Sequence, residues 1–268
     1  MLDSVTASVS LADVVTVCER FDEEVRITYD GEKSKYENDS VLKAIRSLWA
    51  RFGVFGIDVA VEKRLPEGAG VGGSSADAAA VLFACNELFG FYRRGYTFKD
   101  AEGVGSDVPV MSVGGYARIV GTGANFERFD ARPLDLVLVS GGGISTAECF
   151  SRFDEMYPSA RFEPTDNDAL IAALKSRDLT RIASLIGNAL TKPAAKCDGI
   201  IEKRLSALKE AGALTAFMTG SGSGCVGLFE NSARALLAAD AIDRSGAVGA
   251  ARALTTESKG MEIWLSVK

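Results

Sequence analysis

Leu65-Pro-Glu-Gly-Ala-Gly-Val-Gly-Gly-Ser-Ser-Ala-Asp-Ala-Ala-Ala80 decides how this chain is read. It lies between an apolar run with strand character, Gly56 to Glu62, and an alanine-rich run with helix character, Ala76 to Phe89. Four glycines and two serines therefore fall where a helix begins. Glycine lets backbone N–H groups come close to a ligand. A helix N-terminus adds unpaired donors and partial positive charge. The combination is a cradle for phosphate.

Three readings of the loop compete. The plainest is a glycine-rich turn capped by Ser75. The second is a dinucleotide fingerprint, because Gly68, Gly70 and Gly73 satisfy G-x-G-x-x-G. Lys63-Arg-Leu-Pro-Glu67 separates that pattern from its strand, however. Phe91-Tyr-Arg-Arg-Gly95 also stands where a second strand ending in an acid is required. The third is a nucleotide-phosphate loop other than Walker A, since Ser74 holds the place of the lysine.

The bulk numbers narrow the function. A chain of 268 residues is long enough for one large domain or two ordinary ones. Its net charge of -6 argues against a general nucleic-acid binder and leaves room for a phosphorylated ligand. There is no histidine, which excludes Ser-His-Asp and Cys-His hydrolysis and histidine-based metal sites. Any acid–base step falls to Asp, Glu, Lys, Tyr or Cys. Five scattered cysteines form no metal spacing, as expected of thiols in a reducing cytoplasm. No run reaches the roughly 20 apolar residues that span a bilayer, and no signal peptide is recognised.

Patterning predicts strands over 5–17 and 24–29, then a helix capped by Asn38 or Asp39 and ended by Gly53. After the strand at 57–61 comes the loop and its helix, with Ala79, Phe83 and Leu88 partly buried. Residues 108–113 and 116–119 read as paired strands joined through Gly114-Gly115. A strand at 134–139 follows, then helices over 145–157, 166–175, 178–187 and 194–211. Strands at 214–218 and 225–229, a helix at 233–243 and strands near 247–254 and 261–267 complete the chain. This order predicts an α+β chain of two domains, 1–131 and 132–268, with a break at Asp130-Ala-Arg-Pro133.

Two further segments carry chemistry. Gly105-Ser-Asp-Val-Pro-Val110 puts a carboxylate in a glycine-bracketed loop. Phosphoryl transfer to an alcohol needs a carboxylate within reach of the attacking hydroxyl. Alone, Asp107 reads more readily as a turn or cap residue. Phe217-Met-Thr-Gly-Ser-Gly-Ser-Gly-Cys-Val-Gly-Leu-Phe229 is a second glycine loop, which alone reads equally well as a plain hairpin or as backbone donors lining a site.

Taken together, these segments resemble the GHMP small-molecule kinases. Pro66, Gly68, Gly70, Gly72, Gly73, Ser74 and Ser75 match that family's phosphate motif P-x-G-x-G-[LV]-G-[GS]-S-[SA]. The resemblance implies that the run from Pro66 to Ser75, with Ala69 and Val71, binds ATP, and that Ser75 or Ser74 helps hold Mg2+. Asp107-Val-Pro-Val, Gly114-Gly115-Tyr-Ala117 and Gly121-Thr-Gly123 resemble G-[AS]-D-V-P-x-F…G-G-x-A…G-x-G-E of one branch, whose Asp is catalytic. Met111 and Ala124 depart from that pattern. Met218-Thr-Gly-Ser-Gly-Ser-Gly224 resembles the third motif, M-[ST]-G-S-G-x-[ST], with Gly224 at its last place. This implies Gly220, Ser221 and Gly222 at the substrate. By the same resemblance Thr146 and Phe150 lie near a cytosine, and Asp39 and Lys63 near the adenine. A buried core phenylalanine is an equal reading of Phe150, and a solvated lysine is the safer reading of Lys63.

The implied fold is the two-domain GHMP kinase fold, with a ribosomal protein S5 domain 2-like N-terminal domain and a ferredoxin-like C-terminal domain. The implied activity is ATP- and Mg2+-dependent phosphorylation of a cytidine-diphosphate-linked polyol in isoprenoid precursor synthesis. Alternatives are a GHMP kinase for another small alcohol and a non-catalytic nucleotide-binding homologue. The expected partner is a small-molecule substrate, with no nucleic acid or membrane, on a cytoplasmic monomer or weak homodimer. Family members open with P-[AS]-K-[IL]-N-L-x-L and G-Y-H, whereas Met1 to Ser10 resembles the segment just after them. On this resemblance the first domain is N-terminally truncated. It lacks a strand, a lysine that partners the catalytic Asp and a Tyr-His pair that reads cytosine, so impaired turnover is expected.

Overall fold

The computed structural model describes residues 2–34, 39–123, 125–158 and 165–264. The chain divides into two units, one of Met1–Leu65, Gly72–Phe129 and Ser258–Lys268, the other of Pro66–Val71 and Asp130–Glu257.

In the first unit, β-branched runs form Leu2–Val9 (β1), Val14–Arg20 (β2) and Val25–Tyr29 (β3), followed by the short Glu32–Lys33 (β4). The single strand expected over 5–17 is thus two, parted by a connection that contains Asp13. Ser40–Phe52 (α1) carries Val41, Ala44, Ile45 and Leu48 on one buried face at helical spacing. Gly56–Glu62 (β5) then pairs parallel with β3 and antiparallel with β2. A parallel pair needs a crossover, which α1 supplies. The sheet order is β2-β5-β3-β4.

Gly73–Phe89 (α2) packs Ala78, Ala79, Val81, Leu82 and Cys85 against α1 and β5 in one core. Leu88, expected to be partly covered, is exposed. Val108–Val113 (α3) is a helix, although its valines read as a strand. Pro109 sits in the first turn, where its missing N–H costs nothing. Gly114, at φ +57, ends the helix and packs its bare Cα on Gly260. Tyr116–Gly121 (β6) and Asn125–Phe129 (β7) follow, and the ladder β7-β6-β1 is antiparallel.

The second unit opens with Asp135–Ser140 (β8) and a series of helices. These are Thr146–Met156 (α4), Asn167–Ser176 (α5), Leu179–Leu185 (α6), Thr191–Cys197 (α7) and Ile200–Glu210 (α8). The helix expected over 194–211 is two, because Asp198 is extended and its side chain caps Ile200 N at 2.9 Å. Thr215–Met218 (β9), Cys225–Phe229 (β10), Ser232–Ser245 (α9) and Ala250–Glu257 (β11) complete it. The sheet order is β11-β8-β10-β9, all antiparallel. Ile201 and Leu208 of α8 and Ala235 and Ile242 of α9 share a core with Val137, Val139 and Phe229 of the strands.

The final strand runs from 250 to 257 instead of 247–254, and residues 261–264 form no strand; 265–267 lie outside the described residues. Two segments fall differently from a cut between 131 and 132. Pro66–Val71 belongs to the second unit, and Ser258, whose carbonyl accepts from Arg128 at 3.3 Å, belongs to the first.

Asp39 is the cap of α1, while Asn38, the other candidate, lies outside the described residues. The Asp39 carboxylate, 4% exposed, accepts from Val41 N (2.8 Å), Leu42 N (3.3 Å), Tyr29 Oη (2.9 Å) and Ser34 Oγ (2.6 Å). Replacing it strands several buried donors at once. Asp39→Ala is expected to lower the unfolding free energy in urea titration by about 1–3 kcal/mol, with Asp39→Asn in between.

Candidate active site

The first turn of α2 is held open by what lies next to it. Its cap is Gly72 in the left-handed region at φ +70, with no side-chain capping bond. A Cβ on Gly72 would stand 2.1 Å from Met111 Cε of α3. The plain Ser75-capped turn is therefore not what forms. Ser74 and Ser75 lie inside the first turn, Ser74 exposed and Ser75 half-buried, among N–H groups that no side chain caps.

Asp107 precedes α3, which packs on α2. Its half-buried carboxylate makes no capping bond and accepts from Ser106 Oγ at 3.3 Å. An acceptor not consumed by its own helix is thus held on the element adjoining the phosphate-type turn.

Lys63 is not a solvated lysine. Its Nζ bonds Asp13 Oδ2 and, at 2.8 Å, Asp77 Oδ2. A Cβ on Gly73 would lie 3.5 Å from this Nζ. Asp13 also accepts from Arg64 N at 2.5 Å and Leu65 N at 2.7 Å. Burial works against the charged form of Asp13, but the Leu65 N–H, Lys63 and the Arg64 N–H outweigh it and lower its pKa. Asp77 is 3% exposed, and its Oδ1 has no partner among the described residues. Burial therefore dominates there and pushes its carboxyl up to about 6, against the pull of Lys63. Burial also opposes the charge of Lys63, but the two carboxylates raise its pKa overall. The lysine's charge is matched within the chain, so the adenine contact expected of it starts from an occupied amine. Asp39, expected at the same adenine, is committed to capping α1.

In the second unit the two glycine loops meet backbone to backbone. A Cβ on Gly70 would stand 2.2 Å from Thr219 O, and one on Gly220 would stand 2.6 Å from Gly70 O. Thr219 Oγ1 donates to Gly70 O (3.1 Å), and Ser223 N donates to Gly68 O (2.8 Å). Gly224 leaves no room for a side chain, since its Cβ would meet Ala69 O at 2.2 Å. The departure of this chain from the third motif at that place has a steric reason. Asn188 Nδ2 ties the loop from outside, donating to Met218 O and Gly220 O at 2.8 Å.

The side chains expected at a substrate fall partly together. Thr146 Oγ1 and Ser221 Oγ share a hydrogen bond of 2.8 Å. Phe150 on α4 is 48% exposed, which removes the core reading and leaves its ring face accessible. Among the described residues no helix is long and apolar enough to cross a membrane, and no group of three His, Cys, Asp or Glu residues is placed to hold a metal.

Sequence reasoning missed three participants: Asp13, Asp77 and Arg204. Arg204 is 2% exposed and donates to the carbonyls of Gly141, Ser223 and Val248. The signal for it was present, since it shares the buried stripe of α8 with Ile201 and Leu208. A charge on an apolar stripe needs internal partners.

Comparison with known proteins is consistent across the chain. The GHMP kinases N terminal domain family matches residues 39–115, and the GHMP kinases C terminal family matches residues 170–248. A 4-diphosphocytidyl-2-C-methyl-D-erythritol kinase of Thermobifida fusca is 35% identical over 262 residues, covering 91% of this chain and 84% of that protein. The protein of that name from Pelotomaculum thermopropionicum is 41% identical over 193 residues, 70% of this chain and 66% of its own length. A crystal structure of 4-(cytidine 5'-diphospho)-2C-methyl-D-erythritol kinase superposes with a TM-score of 0.76 at 28% identity, covering 95% of this chain and 89% of that one. Homoserine kinase from Cytophaga hutchinsonii shares the fold, with a TM-score of 0.73 at 18% identity over 95% of this chain and 89% of that one.

Two outcomes follow from the geometry. Gly224→Ser forces Ala69 to move, and thermal unfolding should show a loss of about 1–3 kcal/mol, the cost of overpacking. Asp77 has a folded pKa above its ordinary 3.8, so the stability it contributes is complete below that value and lost as pH rises through about 6. Asp13 behaves oppositely, contributing above 3.8 and losing that contribution as pH falls. Denaturant titrations over this range should therefore show the wild type losing stability relative to Asp77→Asn as pH rises, with the difference level beyond the upper value.

Proposed function

The chain belongs to the GHMP kinases, a family of small-molecule kinases, and from that premise we propose that it transfers the γ-phosphoryl group of ATP to the 2-hydroxyl of 4-diphosphocytidyl-2-C-methyl-D-erythritol, a step of non-mevalonate isoprenoid precursor synthesis. The observation that carries the reading is the carboxylate of Asp107, which makes no capping bond to its own helix and stands at the start of α3, whose Met111 lies against Gly72 at the first turn of α2.

Roles follow residue by residue. In the run from Pro66 to Ser75, the backbone N–H groups after the proline hold the triphosphate, because bare glycine backbone and an uncapped helix start both present donors to anionic oxygens. Asp107 accepts, or orients and polarises, the proton of the attacking hydroxyl. As the new O–P bond forms, the bond from Pγ to the bridging oxygen breaks and its electron pair leaves with ADP. Thr146, Ser221 and the loop Gly220–Gly222 border the acceptor, and the exposed ring of Phe150 offers a stacking face for a cytosine.

Mg2+ keeps water and phosphate oxygens as ligands and takes few from protein, so the two hydroxyls in the uncapped first turn of α2 suit it. Ser75, with Ser74 beside it, would hold the ion, whose charge would balance the phosphate oxygens. We assign residues 1–131 to an ATP-binding domain, residues 132–268 to the C-terminal domain, and the protein to the cytoplasm as a monomer or weak homodimer.

With ATP, Mg2+ and 4-diphosphocytidyl-2-C-methyl-D-erythritol, ADP release coupled to a phosphorylated acceptor is expected, and homoserine and mevalonate should serve as poor acceptors. Asp107→Asn should lower kcat by about 10²–10⁴ with the fold unchanged by circular dichroism. Full turnover by that variant would remove Asp107 from its role.

A further inference from the structure

Arg204 does nothing in the mechanism above, yet it is among the most completely buried large side chains of the protein. Among the described residues it forms no ion pair with a carboxylate. Every hydrogen bond it makes ends on a loop. Nε donates to Val248 O at 2.9 Å, Nη1 to Ser223 O at 2.7 Å and to Ser223 Oγ at 2.9 Å, and Nη2 to Gly141 O. Two glycines make room for the fork. A Cβ on Gly141 would lie 3.4 Å from Nη2, and one on Gly249 would lie 3.3 Å away.

Ser223 passes the constraint on. Its Oγ accepts from Arg204 and donates to Gly142 O at 2.9 Å, while its N–H donates to Gly68 O at 2.8 Å. One guanidinium thus reaches the second glycine loop directly. Through Ser223 it also reaches the first glycine loop and the segment that leads to Thr146.

We propose that Arg204 is the positioning residue of this site: its buried fork gathers the carbonyls of Gly141, Ser223 and Val248, fixes the loop Thr219–Gly224 against Pro66–Val71, and so sets the backbone that receives nucleotide and acceptor. The inference rests on the kinase reading above for what the loops bind, but not for the clamp itself.

The chemistry favours arginine specifically. Three inward-pointing carbonyl dipoles need donors in three directions, which a planar guanidinium supplies from one rigid group. A lysine ammonium restores charge at one point but cannot span the three. An apolar side chain of similar length fills the space yet leaves buried carbonyls without donors, and such groups turn away from each other toward water. A residue needed only to fill the core beneath the sheet would show neither distinction.

The test uses Arg204→Met, Arg204→Lys and Arg204→Ala in the full chain. Amide hydrogen exchange of the ligand-free protein reads the clamp. Ser223 and Thr219 N–H should exchange about 10-fold faster or more in Arg204→Met, while amides of β8 and β10 keep their protection. Calorimetric titration with a non-hydrolysable ATP analogue reads the function. Affinity should fall about 10-fold or more in Arg204→Met and Arg204→Ala, the loss expected of misplaced binding groups, with only partial recovery in Arg204→Lys. Guanidinium ion at tens of millimolar should restore Arg204→Ala, and ammonium at equal ionic strength should not.

Unchanged exchange at Ser223 overturns the clamp. Faster exchange with wild-type affinity and wild-type KM for both substrates overturns its role at the site and leaves a stabilising residue. If Arg204→Ala does not fold, Arg204→Lys decides by the same two measurements. A wild-type chain that binds no nucleotide overturns the kinase reading instead, and exchange still decides the clamp.

Discussion

The two glycine loops touch through bare backbone, and much of the second unit is arranged to permit that contact. Gly220 approaches the carbonyl of Gly70, and Gly70 that of Thr219, at distances no Cβ tolerates, and Gly224 seals the turn against Ala69. The contact has little apolar area to stabilise it, so it depends on polar ties: Thr219 to Gly70, Ser223 to Gly68, Asn188 around the outside and Arg204 beneath. Each tie is modest alone. Shared among loops with no regular structure of their own, they act as a network whose members rigidify one another.

In the first unit a related problem is solved with charge. The helix that follows the loop starts without a side-chain cap, which leaves its first N–H donors open, as an anion site requires. The chain anchors that helix from one side instead. Asp77, in its second turn, is drawn to Lys63 at the end of β5, and Lys63 is held in turn by Asp13. The cost is a buried carboxylate with one oxygen unpartnered among the described residues. That cost is tolerable where packing is dense and the neighbouring amine supplies an opposite charge.

The segments with helix-period apolar stripes were legible directly. Val41, Ile45 and Leu48 are spaced for one face, Asp39 precedes them, Gly53 follows, and the helix forms as patterned. The strands β5 and β10 and the glycine loop before α2 were legible for the same local reasons. Misreadings cluster where local preference and tertiary demand diverge. The valines around Pro109 favour a strand in isolation, but burial against α2 and a proline suited to a first turn make a helix. The long helix expected over 194–211 breaks because Asp198 satisfies the next helix's N–H better than it continues its own.

Motif order along the chain determined the family, since phosphate chemistry demands glycines and serines at fixed spacings and those survive in a linear string. Asp107 and the run from Pro66 to Ser75 stand out as candidates from residues alone. Which polar side chains remain available could not. Asp39 and Lys63 looked equally suited to a ligand, and only the folded chain showed one spent on a helix cap and the other between two carboxylates. The stripe of α8 marks Arg204 as buried, but what it and Asp77 bind is in no local pattern, because their partners lie 14 to 63 residues away along the chain. Hydrogen bonding saturates and is decided by proximity in space, so the residues that build a site are written in the sequence, while those that hold it in place are decided by the tertiary structure.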